Sequence, residues 1–259
     1  MAGIDPRAAV DDKAELAEGV EVGPFAVIGP NVKIGAGTTV GPHAMVEGRT
    51  EIGKDNYIGP FAFVGGAPQH TEYKGEDTSL KIGDRNRIRE YATIHRGTPD
   101  GRGETVIGSD CFVMVGCHIA HDCVLGDRII MANLASLAGH VVVEDDVVLG
   151  GFVGVHQYCR VGAVVMLAAM ARVTKDVPPY SLVGGDPPRF LGLNRVGLKR
   201  VGMAEDSKKA LRQAYRIIFS KSAHLDEGLE NAEAELGEVA EVKHLIEFAR
   251  SSERGLVRD

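Results

Sequence analysis

Stepping along the chain by six from residue 4 lands on Ile4, Val10, Leu16, Val22, Ile28, Ile34, Val40, Val46, Ile52, Ile58 and Val64, all aliphatic. The register resumes at Ile82, Ile88 and Ile94. It then runs from Ile107 through Val113, Ile119, Leu125, Met131, Leu137, Val143, Leu149, Val155, Val161 and Leu167 to Val173. If about three residues in ten are aliphatic, twelve unbroken hits arise by chance well under about once in a million registers. Such a period signals a repeat in which each unit buries its apolar residue by stacking on the next.

Two residues before the aliphatic position sits something small or β-branched, among them Ala26, Val32, Thr38, Ala44, Ala62, Ala92, Ala135, Val141, Val147 and Val153. Cys111, Cys117, Cys123 and Cys159 fall in the same slot. Their spacing allows a row of metal ligands or a row of small core fillers, and we read them as fillers. Glycine often follows the aliphatic residue, at Gly23, Gly29, Gly35, Gly41, Gly53, Gly59, Gly65, Gly83, Gly108, Gly126 and Gly162. It is expected there to supply the unusual dihedrals of a tight corner.

The repeat breaks twice, near residues 66–81 and 97–104, where the chain is expected to loop outward; loops on a rigid scaffold are good sites for function. Pro178 and Pro179 are expected to end the solenoid. Beyond them Leu211, Ala214, Tyr215 and Ile218, then Val242, Leu245, Ile246 and Ala249, follow helical spacing. Glu205, Asp206 and Ser207 before the first of these helices are capping in character. The expected organisation is a β-solenoid over 1–183 and a small helical domain over 184–259 that covers one side or end of it.

Composition now has a reason. The 259 residues include 33 glycines and no tryptophan, and only 5% are aromatic, as a narrow prism requires. Collagen would need glycine at every third position, and disorder is excluded by 44% hydrophobic residues. No apolar run approaches a membrane span and the N-terminus lacks a signal-peptide pattern, so a cytoplasmic protein is expected. The net charge of −7 argues against nucleic-acid binding. Residues 160–221 nevertheless hold twelve Lys or Arg against four acids, a local net of +8.

If three units make one coil, Ile94, Ile119, Leu137 and Val155 fall on one face of successive coils. The polar residues after them form a ridge: His95, His121 with Asp122, Gly139 with His140, and His156 with Gln157, with His118 just before His121. His43, His224 and His244 read as structural. Three chemistries suit such a ridge. Imidazoles bind zinc, as in hexapeptide carbonic anhydrases; a β-helix edge presents a non-catalytic surface; and an imidazole takes a proton from a hydroxyl or amine during acyl transfer.

The six-residue unit resembles the hexapeptide repeat of left-handed parallel β-helices, which implies an all-β solenoid with three units per coil, here carrying a C-terminal α-helical domain. The resemblance becomes specific in Ile82-Gly83-Asp84-Arg85-Asn86-Arg87-Ile88-Arg89-Glu90, Thr93-Ile94-His95-Arg96-Gly97-Thr98, His118-Ile119-Ala120-His121-Asp122-Cys123, Leu137-Ala138-Gly139-His140 and Val155-His156-Gln157. With Asp176-Val177-Pro178-Pro179-Tyr180 and Gly197-Leu198-Lys199-Arg200 these stretches are similar to the UDP-N-acetylglucosamine acyltransferase family of lipid A biosynthesis.

That resemblance implies a homotrimer with sites between prisms, transferring a (R)-3-hydroxyacyl chain from acyl carrier protein to position 3 of UDP-N-acetylglucosamine or its 3-amino analogue. It needs no cofactor beyond the carrier's phosphopantetheine, and no metal. His121 matches the general base, Asp122 the residue supporting it, and the Gly139 N–H an oxyanion donor. Gln69, His70, His118, His140, Gly151, His156 and Gln157 match substrate-contacting positions, while Asn194 and Arg200 match nucleotide and phosphate contacts. At the acyl ruler Ala169 stands where the family often has glycine, with Met170 beside it. Three departures stand out: Gln69-His70-Thr71-Glu72 replaces a Gln-Asp-x-Lys pattern, which suits a 3-amino acceptor or a repositioned loop, and Val196 and Val201 replace polar residues. The basic segment 160–221 is read as a solvated face or as the dock for the acidic carrier. A zinc carbonic-anhydrase-like protein and a related UDP-sugar N-acyltransferase are the alternatives, although repeats beginning at residue 4 leave no room for the latter's N-terminal domain.

Overall fold

In the computed structural model, which describes residues 3–221 and 224–258, the six-residue unit is a short strand followed by a corner. Three units make a coil, so until the last turn each strand hydrogen-bonds to the strand three elements later. The strands sort into an eleven-stranded face I, a nine-stranded face II and an eight-stranded face III, parallel except for one terminal hairpin. Ile119 pairs with Leu137 and Leu137 with Val155, one coil apart on face II. In each strand one residue faces outward and the aliphatic residue inward, so Ile58, Ile94, Ile119, Leu137 and Leu149 are fully buried. The architecture is a left-handed parallel β-helix with a small C-terminal helical region.

The corner glycines serve close stacking, not the dihedral role expected of them. Of those following an aliphatic residue only Gly65 has positive φ; the left-handed conformation falls two residues later, on Phe25, His43, Phe61, Asp110, Arg128 and Asp146 among others. A Cβ on Gly35 would lie 2.6 Å from the carbonyl of Gly53, and one on Gly108 would lie 2.5 Å from Gly126 O. Coils rest backbone on backbone at these corners, and any side chain would force them apart.

The slot after the glycine has its own rule. Its N–H takes no part in the coil-to-coil ladder, so proline is tolerated there at Pro24, Pro42 and Pro60, while elsewhere a carboxylate one coil on accepts the amide, as Asp127 does for Ser109 at 2.7 Å. Pro179 occupies the same slot after buried Val177, which is why the proline pair does not stop the sheet. Ser181–Gly184 still pairs in parallel with face I through Leu182 and Met166, and Arg189–Leu193 then folds back antiparallel.

All four cysteines are buried inside the prism and unpaired, and burial pushes the Cys123 thiol up to about 12. The N-terminal end of the prism is open, with Ile4 45% exposed. At the other end Val164 and Tyr180 pack against Leu198, Leu211, Leu245 and Phe248 of the helices. These are α1 (Arg195–Arg200), α2 (Glu205–Arg216), α3 (Leu225–Leu236) and α4 (Ala240–Arg250). The N-cap of α2 is Ala204 with no side-chain bond; Glu205 and Asp206 lie in the first turn instead, against the positive end of the helix dipole. Among the described residues no helix is long and apolar enough to cross a membrane.

Two segments leave the coils: residues 67–78, between strands Phe63–Gly66 and Ser79–Ile82, and residues 96–103, between Thr93–His95 and Glu104–Ile107. Both come back to the same edge of the prism, where faces II and III meet.

Candidate active site

Successive coils place His121, Gly139 and Gln157 in one slot of the II/III edge and Asp122, His140 and Tyr158 in the next, left-handed, slot. His140 N–H donates to His121 O at 3.0 Å and Tyr158 N–H to Gly139 O at 3.1 Å, fixing the coils against each other. His121 Nδ1 lies 2.7 Å from Asp122 Oδ2. With Nδ1–H donating, the Nε2 lone pair is left facing outward.

Asp122 is fully buried, yet its carboxylate is well satisfied. Thr98 N–H donates to both oxygens at 3.1 Å and Thr98 Oγ1–H to Oδ2 at 2.7 Å, while Arg102 N–H reaches Oδ1 at 2.8 Å. Burial works to protonate this carboxyl, but the hydrogen bonds from His121, Thr98 and Arg102 prevail and lower it to about 2. It is an anion at neutral pH.

The neighbouring imidazoles differ. Burial, helped by the charges of His118, His121 and Arg96, lowers His95 to about 4. Burial also lowers His118, whose Nδ1 sits 2.8 Å from the Thr93 hydroxyl. His140 is lowered chiefly by burial, against the pull of Asp122. The rings of His70 and His140 meet His121 edge-on at 5.4 and 5.1 Å, and Tyr158 stacks on His140 at 4.3 Å. Of the ridge histidines, His121 alone bonds a carboxylate within 3 Å.

Gly139 completes the centre. A Cβ there would fall 2.5 Å from His121 Cε1, so only glycine leaves the imidazole its place. It occupies the slot whose amide lies outside the ladder, and among the described residues no acceptor takes its N–H. A free donor beside the outward nitrogen of a His–Asp pair has the geometry of an oxyanion site. His121, Asp122 and His140 also lie close enough to share a metal ion, but the Asp122 oxygens already accept four donor groups, so the set is built as a hydrogen-bonded pair.

The other candidates fall elsewhere. Gln69, His70 and Glu72 are exposed on the first excursion, which Arg96 ties down through Gly65 O and, at 3.1 Å, Tyr73 Oη. His156 and Gln157 continue the same edge one coil on, exposed, with Arg254 3.1 Å from His156 Nδ1. Gly151, Ala169 and Met170 lie on the I/II edge, where Met170 N–H donates to Gly151 O at 2.9 Å. Asn194 and Arg200 belong to the III/I edge. The Asn194 side chain caps α1 through Gly197 N–H at 3.0 Å and donates to Val164 O at 2.8 Å, and Arg200 reaches Asp146 O at 2.9 Å beside a cavity of about 530 Å³ that Val201 also lines.

Thr98, Arg102, Thr105 and Tyr158 escaped the sequence reading. Tyr158 was one coil beyond His140 and within reach of the period. Thr105, two residues before Ile107 on its strand, was likewise within reach of it, but Thr98 and Arg102 depend on how an irregular loop closes, which no period encodes.

The family model described as Udp N-acetylglucosamine O-acyltransferase, Domain 2, matches residues 176–257, and the bacterial transferase hexapeptide model matches 13–48 and 31–66. Fold and site together thus define a hexapeptide-repeat transferase. Among relatives, the acyl-[acyl-carrier-protein]--UDP-N-acetylglucosamine O-acyltransferases of Alkalilimnicola ehrlichii and Thiobacillus denitrificans are 54% and 51% identical over 258 residues, covering 100% of both chains in each case. The Francisella novicida UDP-N-acetylglucosamine acyltransferase structure aligns with TM-score 0.96 at 37% identity over 99% of this chain and 94% of that one. The Moraxella catarrhalis UDP-N-acetylglucosamine O-acyltransferase gives 0.94 at 41% identity over 98% and 99%. The chain belongs to the UDP-N-acetylglucosamine O-acyltransferase family.

Proposed function

We propose that this protein transfers a (R)-3-hydroxyacyl chain from acyl carrier protein to the 3-hydroxyl of UDP-N-acetylglucosamine, the opening step of lipid A biosynthesis. The observation that carries the mechanism is the His121–Asp122 pair beside the free N–H of Gly139. His121 Nε2 takes the hydroxyl proton as the oxygen attacks the thioester carbon. Asp122 stabilises the imidazolium so formed, Gly139 N–H binds the oxyanion, and the imidazolium returns the proton to the departing phosphopantetheine thiol. His118 and His140, held neutral, hydrogen-bond the sugar and donor. No metal enters this scheme.

A single prism supports only part of it. The base lies on the II/III edge, the acyl-ruler positions on the I/II edge and Asn194 with Arg200 on the III/I edge, which supports a homotrimer whose sites form between prisms. For the carrier, Lys175, Arg189, Arg195, Lys199, Arg212 and Arg216 have no ion pair among the described residues, whereas Arg172, Lys208 and Lys209 do. Four of the unpaired cations line a cavity of about 680 Å³ floored by Phe190, Leu193 and Phe219. The side chain of Lys221, also in the basic segment, lies outside the described residues. Unpaired, buried cysteines fit a cytoplasmic setting.

A mass-spectrometric product assay tests the proposal by pairing UDP-N-acetylglucosamine and its 3-amino analogue with carrier proteins bearing 3-hydroxyacyl chains of graded length. An O-acylated product that disappears in His121→Ala is expected. Acylation of the amino sugar alone would move the acceptor to that sugar and give His70 and Glu72 a part in its recognition, and wild-type rates in His121→Ala would overturn the base.

A further inference from the structure

We propose that residues 97–103 are a clamp that sets the proton affinity of His121 through Asp122, with Thr98 as its positioning residue. This rests on the reading of His121 as the base. A β-helix needs no excursion at this point; the coil between Thr93–His95 and Glu104–Ile107, one before that of His121, would close without one. The excursion instead wraps the Asp122 carboxylate. Thr98 supplies its N–H and its hydroxyl, and Arg102 supplies its N–H.

The loop is shaped for that contact. Gly101 and Gly103 N–H both donate to Thr98 O, at 3.1 and 3.0 Å, closing the turn on itself. A Cβ on Gly101 would lie 2.5 Å from Asp122 Cγ, so the turn crosses the carboxylate at a distance only glycine allows. The strand that follows gives Thr105 Oγ1, 2.8 Å from Asp122 N–H, which fixes the backbone beneath.

Every donor that shares a carboxylate withdraws electron density from it and weakens its hold on the others. Thr98 Oγ1–H and His121 Nδ1–H both sit 2.7 Å from the same oxygen, Oδ2. They compete for it directly. Removing the hydroxyl therefore leaves Asp122 a stronger partner for His121, favours the imidazolium and raises the pH at which the base becomes free. The other titratable or charged groups around His121 and Asp122 are His70 on the first excursion, His95, His118 and His140 on the ridge, Arg102 on the clamp and the buried Cys123 thiol next to Asp122; Thr98→Val alters none of them.

The test titrates the His121 ring by NMR in protein labelled at histidine carbons, its signal assigned by loss in His121→Asn, alongside the pH dependence of kcat/KM. In Thr98→Val the His121 titration should rise by about half a unit to one unit, the acid limb of kcat/KM should move by the same amount, and Thr98→Ser should restore both. If Thr98→Val does not fold, the smaller Thr98→Ala takes its place. An unchanged His121 titration, however far activity has fallen, overturns the clamp and leaves the loop purely structural. A titration that rises while the acid limb stays put upholds the clamp and removes His121 as the base.

Discussion

Gly139 and His121 share one volume: the position a Cβ would take on the glycine lies 2.7 Å from the imidazole Nε2. One methyl group therefore displaces the ring from Asp122 and crowds the unengaged N–H of residue 139. Gly139→Ala should lower kcat by about 100-fold or more, the scale of losing one oxyanion donor, while KM for the nucleotide sugar changes little. The fold should survive, because the residue is at an edge and outside the ladder. Steady-state kinetics with a thermal melt check both; unchanged turnover would show that the ring relaxes freely and that this amide binds no oxyanion.

Asp122→Asn replaces the anion by a neutral amide without a large change of shape. The imidazolium loses its counter-charge and the tautomer its determinant, so kcat should fall on the order of 10³-fold or more. Because Asp122 stays ionised down to about pH 2, the wild-type profile should show no carboxylate titration between pH 5 and 8. An acid limb that vanished in Asp122→Asn with kcat intact would assign the limb to the carboxylate and contradict the scheme.

His95 carries a stability prediction. Its folded pKa of about 4 lies below the ordinary 6.5, so between those values the unfolded chain binds a proton that the folded chain refuses. Stability is thus unaffected above pH 6.5 and falls as pH drops from 6.5 towards 4, by up to about 1.4 kcal/mol per pH unit from this residue. His95→Gln removes that term. Its melting temperature should decline less steeply than the wild type's across this window, and parallel declines would refute a buried neutral His95.

How much of this was legible beforehand follows from what a period can carry. Six-residue spacing encodes which residues share a face, so the stack of Ile94, Ile119, Leu137 and Val155 and the ridge beside it were readable from the chain. Dihedral roles were not. Glycine was assigned to the left-handed corner, but there a residue such as His140 bears the strain, while glycine answers to the coil above it. The 97–103 excursion was visible only as a break, since the turn around Asp122 comes from glycines at 101 and 103 and a threonine whose partner lies in the next coil. α1 and α3 were missed because one is six residues long and the other holds only Leu229, Ala232 and a few apolar neighbours in its buried face.

The acyl ruler is open to a direct test. Ala169 and Met170 are exposed on the I/II edge, Met170 to 75%, so on the proposed reading their side chains end the slot for the donor chain. Met170→Gly and Ala169→Gly should each shift preference towards donors longer by one or two carbons. The expected change in relative kcat/KM is about 10-fold, since an unaccommodated methylene is worth ~1–3 kcal/mol. Competition between carrier-bound chains of different length, read by mass spectrometry, measures it; an unaltered product distribution in both variants would place the ruler elsewhere.

The three-edge separation leads to the last prediction. His121 and Arg200 sit on different edges of one prism. If each site borrows Arg200 from a neighbouring prism, His121→Ala and Arg200→Ala homotrimers should both be nearly inactive, the first in kcat and the second through a raised KM for the nucleotide sugar. Mixed trimers assembled from the two variants by co-expression, then isolated by differential tags, would behave differently. Wherever an intact His121 faces an intact Arg200 across an interface, a wild-type site is rebuilt. Each mixed trimer contains one such interface whichever variant is in excess, so activity near one third of the wild-type value per trimer is expected. Sites built within one prism predict no recovery at all, because every chain would carry a defective site. The same preparations report their mass by light scattering, and a monomer with full activity would refute the shared site outright.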